Sequence, residues 1–200
     1  MKKLFLMVLV SCMALFANAE TRKVSSPDGK LVVTLNADGG KLTYEASYDG
    51  KVLVTKSALG LKTDMGDYTQ GLKLLNAAEG KKQEQYTMRN SKASVVDVNM
   101  NTIKMTFSIS GCKRIMTMEM CVGNNDIAYR YSFDSSSDGS KDEPRRVTVL
   151  EEASAFNFPD YTTTFLCPQI DGNNKGWMGT QPSYEEEYKP DAPMAVKSQF

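Results

Sequence analysis

The sequence predicts an all-β protein, an antiparallel β-sandwich. Three observations carry that expectation. Between Ser26 and Leu61 apolar and polar residues alternate, and the runs are broken by Asp28-Gly29, Asp38-Gly39-Gly40 and Asp49-Gly50. Alternation puts Leu31, Val33 and Leu35 on one strand face, and Leu42, Tyr44, Ala46 and Tyr48 on one face of the next. Asp-Gly steps accept the positive φ angles of tight hairpin turns. Second, Asn101 to Phe133 contains three consecutive period-2 runs joined by short turns. Third, no window of useful length has a 3.6-residue apolar period, and no repeat of the propeller or solenoid kind is present.

The elements follow in order from Ser26. After the opening meander, Ser57 to Asp67 reads as a short strand and turn with Leu59 and Leu61 inward. Gly71 to Gln85 is expected to be irregular, with Glu79 to Glu84 a charged, solvent-facing connection. Tyr86 to Arg89 and Ala93 to Asn99 read as strands. Ile103, Met105, Phe107 and Ile109 alternate with polar residues, and Gly111 turns the chain. Met116, Met118, Met120 and Val122 then share one face; this spacing suits core filling by a strand. Gly123 to Asp126 makes another turn before Ile127, Tyr129, Tyr131 and Phe133. Ser135 to Pro144 reads as a polar loop, and Arg146 to Leu150 starts a further strand.

Composition excludes several function classes. The 200 residues carry 24 Lys plus Arg against 24 Asp plus Glu, so no basic field exists to hold nucleic acid. There is no histidine, which removes Ser-His-Asp and Cys-His catalysis and His-ligated zinc. Residues 1–19 have the build of a signal peptide: Lys2 and Lys3, an apolar run from Leu4 to Phe16, and the cleavage site Ala17-Asn18-Ala19. That run is too short for a transmembrane helix, and no other segment qualifies. The expected location is periplasmic or secreted, with the domain spanning 20–200. Leu9-Val10-Ser11-Cys12 supplies a competing lipoprotein reading through Cys12. Past the leader, Cys112, Cys121 and Cys167 are an odd set read as unpaired thiols. About nine strand residues span roughly 30 Å, which keeps Cys112 and Cys121 apart.

Several blocks, in order, resemble the N-terminal domain of glycoside hydrolase family 97. They are S-P-D-G-K-L near the start, Y-D-G-K-V-L followed by S-A-L-G-L, and D-I-A-Y-R-Y-S-F. R-R-V-T-V-L-E-E-A-S-A-F-N-F-P and S-Y-E-E-E-Y complete the set. The resemblance implies a galactose-mutarotase-like β-supersandwich, incomplete at its C-terminal end. It implies an accessory domain of an exported α-glucosidase or α-galactosidase, packed on a (β/α)-barrel that holds the catalytic residues. A glycosidase needs two carboxylates about 5 to 9 Å apart across the bond. In the family both come from the barrel, so no catalytic residue is expected in this chain.

The same resemblance implies that one glutamate of this domain joins the shell of a calcium beside the barrel's active site. A glutamate three residues before a tyrosine selects Glu185, with Tyr188; a two-residue shift selects Glu187. Read without the family, Glu185 to Glu187 is a solvated acidic loop. Calcium takes six to eight oxygen ligands, so the chain alone is expected to bind it weakly or not at all. Trp177, in an Asn- and Gly-rich segment, has the composition of a sugar-stacking site, or else packs against a neighbouring surface. Glu151 and Glu152 are adjacent on a strand and point to opposite faces, one exposed and one paired with Arg145 or Arg146. Two other functions suit the same sequence: an independent carbohydrate-binding module, or a ligand-free envelope sandwich anchored through Cys12.

Overall fold

Asp49 and Gly50 adopt φ angles of 48° and 79°, the double left-handed turn that matches the twist of two antiparallel strands. Gly39 and Gly40, at 57° and 73°, close the preceding hairpin the same way. These turns fold the opening stretch into a four-stranded antiparallel sheet: β1 (Glu20–Ser25), β2 (Leu31–Asp38), β3 (Lys41–Tyr48) and β4 (Lys51–Leu59), in that spatial order. The protein is seen in a computed structural model that describes residues 20–92, 94–134, 146–166 and 189–194.

Two short strands follow, β5 (Leu61–Thr63) and β6 (Gly66–Asp67). The second large sheet is built from β7 (Lys73–Thr87), β8 (Val95–Ser108), β9 (Met116–Val122) and β10 (Ile127–Phe133), in the order β10-β9-β8-β7. After it, β11 (Val149–Glu152) pairs with β5, and β12 (Thr163–Leu166) pairs with β13 (Lys189–Pro193). Every named pair is antiparallel, and no helix occurs among the described residues.

The two large sheets pack face to face. Val33, Leu35, Leu42 and Tyr44 from the first, and Ile103, Met105, Phe107, Met116, Met118, Met120 and Val122 from the second, form one buried cluster. The methionine stripe is therefore core, as its period-2 spacing predicts. Burying each such side chain contributes about 1.5–3 kcal/mol, which is why the inward face is apolar on both sheets. The layers are also tied by polar contacts at one end. Asn101 Nδ2 donates to the Ser25 carbonyl at 2.7 Å, and the Asp28 amide donates to Asn124 Oδ1 at 3.1 Å. Leu59 and Leu61 point inward as expected.

One element differs from the sequence reading. Glu79 to Glu84 is not a connection but part of β7, whereas Tyr86–Thr87 and Val95–Asn99 are strand as expected, at the outer ends of β7 and β8. β7 and β8 pair without interruption of the hairpin from Lys73↔Ser108 out to Thr87↔Val95, with one irregularity between Leu74 and Asn76. The reason lies in their length. β9 ends with Val122 opposite Asn101, so the outer half of the β7–β8 hairpin runs past its sheet as a two-stranded ribbon. The β7 half of that ribbon is exposed on both faces, so no alternation marks it, whereas Val96, Val98 and Met100 on β8 are half-buried and alternate with exposed residues.

Cys112 and Cys121 are free thiols, the first just beyond the turn at Gly111 and the second on the outward face of β9. Cys167 lies outside the described residues.

Candidate functional site

The chain returns along the free edge of β4 and β5, and this return builds the most distinctive surface of the molecule. Val149 pairs with Thr63 and Glu152 with Leu61. The Ala153 amide then donates to the Gly60 carbonyl at 2.9 Å and the Ala155 amide to the Ala58 carbonyl at 3.0 Å. The Thr55 amide donates to the Asn157 carbonyl at 2.8 Å, and the Tyr161 hydroxyl reaches the Val52 carbonyl. Residues 149–161 thus run beside the first sheet as an irregular outer strand.

Its inner side meets β10 and the core through aromatic residues. Tyr44 is fully buried and donates to the Ala155 carbonyl at 3.0 Å. The Tyr129 hydroxyl donates to Glu152 Oε1 at 3.3 Å, and Tyr131 shares a 2.8 Å hydrogen bond with Ser154. The Phe156 ring sits 6.3 Å from Tyr44, edge-on, and 6.3 Å from Tyr129. Burial pushes the Tyr44 phenol up to about 12, with Tyr129 adding to the rise and the Ser57 hydroxyl opposing it. Burial also pushes Tyr131 up. These hydroxyls stay protonated at neutral pH and fasten the return strand, Tyr44 and Tyr129 by donating and Tyr131 through its shared bond with Ser154.

The same segment keeps apolar surface in water: Leu150 is 67% exposed, Tyr161 59%, Phe165 65%, and Phe156 58% beside its ring contacts with Tyr44 and Tyr129. Lys51 Nζ lies 5.4 Å from the centre of the Tyr161 ring, within cation–π range. None of these side chains is singled out by the sequence reading as part of a site. The signal that finds them is the aromatic density of F-N-F-P-D-Y-T-T-T-F, which has no alternation to send its rings inward.

The residues predicted for metal and sugar, Glu185, Glu187 and Trp177, lie outside the described residues, as does Cys12. The strands that bracket Trp177 and the two glutamates are described: Leu166 on β12 is registered opposite Lys189 on β13. Glu151 and Glu152 do diverge, but their partners differ from expectation. Glu151 Oε2 is 2.7 Å from Lys62 Nζ, and Glu152 accepts from Tyr129. The neighbour across the strand pair supplies the cation, because Glu151 is registered opposite Lys62.

Among the described residues, no three of His, Cys, Asp and Glu cluster so as to hold a metal ion. The best-organised charges on the page are on the outer face of the second sheet. Burial acts to raise the Glu119 carboxyl, but Arg130 and Lys104 outweigh it and hold it below its usual range. Arg130 Nε lies 2.6 Å and Lys104 Nζ 3.4 Å from this carboxylate. This is a charge ladder across three strands, in which two cations share one carboxylate, and it offers no nucleophile.

The fold and its surface together define an antiparallel β-sandwich domain with a partly exposed aromatic flank. The family described as "Glycosyl-hydrolase 97 N-terminal" matches residues 24–199, and the chain belongs to that family. A "Probable retaining alpha-galactosidase" of Streptomyces bingchenggensis is 31% identical over 142 residues, which are 71% of this chain and 20% of that protein. The "Retaining alpha-galactosidase" of Bacteroides thetaiotaomicron is 28% identical over 195 residues, covering 96% of this chain and 27% of its own length. A crystal structure of beta-arabinopyranosidase superposes with a TM-score of 0.73 at 38% identity, over 90% of this chain and 28% of that one. A glycoside hydrolase family 97 enzyme from Pseudoalteromonas sp. strain K8, solved with acarbose, shares the fold with a TM-score of 0.62 at 16% identity. The chain spans between a fifth and three tenths of the length of these relatives. No helix of the described residues is long and apolar enough to cross a membrane.

Proposed function

We propose that this chain is the accessory N-terminal domain of an exported α-glycosidase, a scaffold that packs on a catalytic (β/α)-barrel and is not hydrolytic alone. The observation that carries this reading is the family match over residues 24–199 in a chain spanning only 20% and 27% of the two α-galactosidases. An α-galactoside is the favoured substrate class of the assembled enzyme, from the printed activity of those relatives, with an α-glucoside next. Residues 1–19 direct export to the periplasm or beyond. Glu185, or Glu187 in the shifted register, reaches the barrel as one donor to its calcium, and the charge of that ion helps order the sugar-binding cleft. Trp177 serves the carbohydrate side of the cleft.

The test is a chimera in which residues 24–199 replace the matching region of the Bacteroides α-galactosidase. Hydrolysis of an aryl α-galactoside is measured for the chimera, for the enzyme lacking the region, and for the chain alone. The expected result is turnover by the chimera well above the deleted enzyme, and none by the chain. Turnover by the chain alone, or a folded chimera no better than the deletion, refutes the proposal.

A further inference from the structure

We propose that the outer face of the second sheet carries a ligand site centred on Gly80 and Thr102, which takes a small hydroxylated anion of the size of one sugar acid. A groove of about 540 Å3 crosses β7 to β10 there. Gly80 is registered opposite Thr102 on its floor, and Lys82, Lys104, Glu119 and Arg130 line it together with Glu84. No residue of 149–161 lines it, so the site is independent of the accessory-domain reading. Thr102 is only 6% exposed, yet its hydroxyl makes no hydrogen bond among the described residues. Further along the same face the Thr106 and Thr117 hydroxyls bond each other. A Cβ on Gly80 would come 3.1 Å from Thr102 Oγ1, so the missing side chain is what keeps that hydroxyl open to the groove. A nearly buried polar group without a partner points to one supplied from outside.

The charges select the class of ligand. Lys82, Lys104 and Arg130 meet two carboxylates, Glu84 and Glu119, which leaves one positive charge in excess; Glu79 and Lys81, also on the groove, cancel. Glu119 is 12% exposed and is held by Arg130 at 2.6 Å and Lys104 at 3.4 Å, so it repels an incoming anion less than a lone carboxylate would. Arg130 commits Nε and Nη2 to Glu119, and its Nη1 makes no bond among the described residues. Lys82 Nζ is 3.6 Å from Glu84, beyond hydrogen-bond reach. Arg130 Nη1 and the two ammonium groups can therefore take a carboxylate, while Thr102 and Glu84 take hydroxyls. No aromatic side chain lines the groove, so a neutral sugar has no ring to stack on. The cations are largely exposed, and the expected binding is weak and sensitive to salt.

Galacturonate titrated into the chain, with backbone amide shifts followed by NMR, tests this. At low ionic strength it should give saturable shifts confined to the strand positions around Gly80, Thr102, Glu119 and Arg130, and added salt should weaken them. Galactose, the uncharged counterpart, should give none. Arg130→Gln and Thr102→Val should each weaken binding about fivefold or more, and Thr102→Ser, which keeps the hydroxyl, should bind like the parent. Gly80→Val closes the floor from an exposed strand and should abolish binding with the melting temperature little changed. Galactose binding as tightly as galacturonate overturns the choice of an anion. Inorganic sulfate binding as tightly as galacturonate, with Thr102→Val without effect, overturns the choice of a hydroxylated ligand. Shifts that map elsewhere, or no saturation in the folded chain, overturn the site.

Discussion

Met118 sits at the centre of the second sheet with no exposed surface, registered opposite Met105 on β8 and Tyr131 on β10. Met118→Ala removes three heavy atoms from a position walled on both sides by paired strands, so the sheet has little freedom to collapse into the space. Loss of transfer energy plus the residual cavity places the cost at about 3 kcal/mol, within the ~2–5 kcal/mol typical of such truncations. For a domain of this size that corresponds to a fall of about 6–12 °C in Tm. The assay is urea unfolding followed by circular dichroism, with the slope of the transition required to stay constant so that only stability has changed. Met118→Leu, nearly volume-conserving, should cost less than ~1.5 kcal/mol. Leu150→Ala, on the exposed flank, should stay within ~0.5 kcal/mol. A loss below ~1 kcal/mol for Met118→Ala, or an equal loss for Leu150→Ala, refutes the assignment of inside and outside on which the fold rests.

Further expectations can be checked on the same protein. The Tyr44 phenol is raised in the folded state to about 12 from 10.0, so its contribution is fully present below pH ~10 and is lost as pH climbs toward 12. Stability should therefore be level from pH 7 to 9 and fall above pH 10, and Tyr44→Phe should shrink that fall while costing about 1 kcal/mol at pH 7 through the lost bond to Ala155. Gly60→Ala places a Cβ 2.8 Å from the Tyr68 carbonyl oxygen and 3.0 Å from Thr69 Cα, both backbone atoms. The strands must shift, at a cost of about 1–3 kcal/mol, and hydrogen exchange at Ala153 should accelerate because its acceptor is the Gly60 carbonyl. Calcium titrated into the mature chain alone should give no saturable heat, whereas in the chimera Glu185→Gln should weaken calcium affinity at least tenfold; an unchanged affinity moves the role to Glu187 or elsewhere.

The sandwich was legible wherever one strand face is buried. Leu31, Val33 and Leu35 on β2 and the methionines of β9 alternate because the partner sheet dries one side only, and that asymmetry is written directly into period 2. The outer half of β7 was not legible for the converse reason: Gln83, Glu84 and Gln85 face water on both sides, so nothing but backbone pairing holds them extended. The return strand was hidden differently. It meets the first sheet through scattered bonds at Ala153, Ala155 and Asn157 rather than a continuous ladder, and its exposed rings follow no period-2 pattern, so neither turn chemistry nor alternation announces it. The site residues taken from family resemblance, Trp177, Glu185 and Glu187, lie outside the described residues, and residue chemistry alone cannot separate a ligand from a solvated acid. The exposed aromatics were readable in principle, since Phe156, Phe158, Tyr161 and Phe165 are too dense for a loop that serves only as a connection.

The central claim is that this domain works by packing on a catalytic partner, and scanning calorimetry of the chimera beside the isolated chain tests it most directly. Packing of the domain on its partner predicts that the β-sandwich melts with the barrel in one transition, several degrees above the isolated chain. Two independent transitions, with the sandwich melting where the isolated chain does, would contradict it.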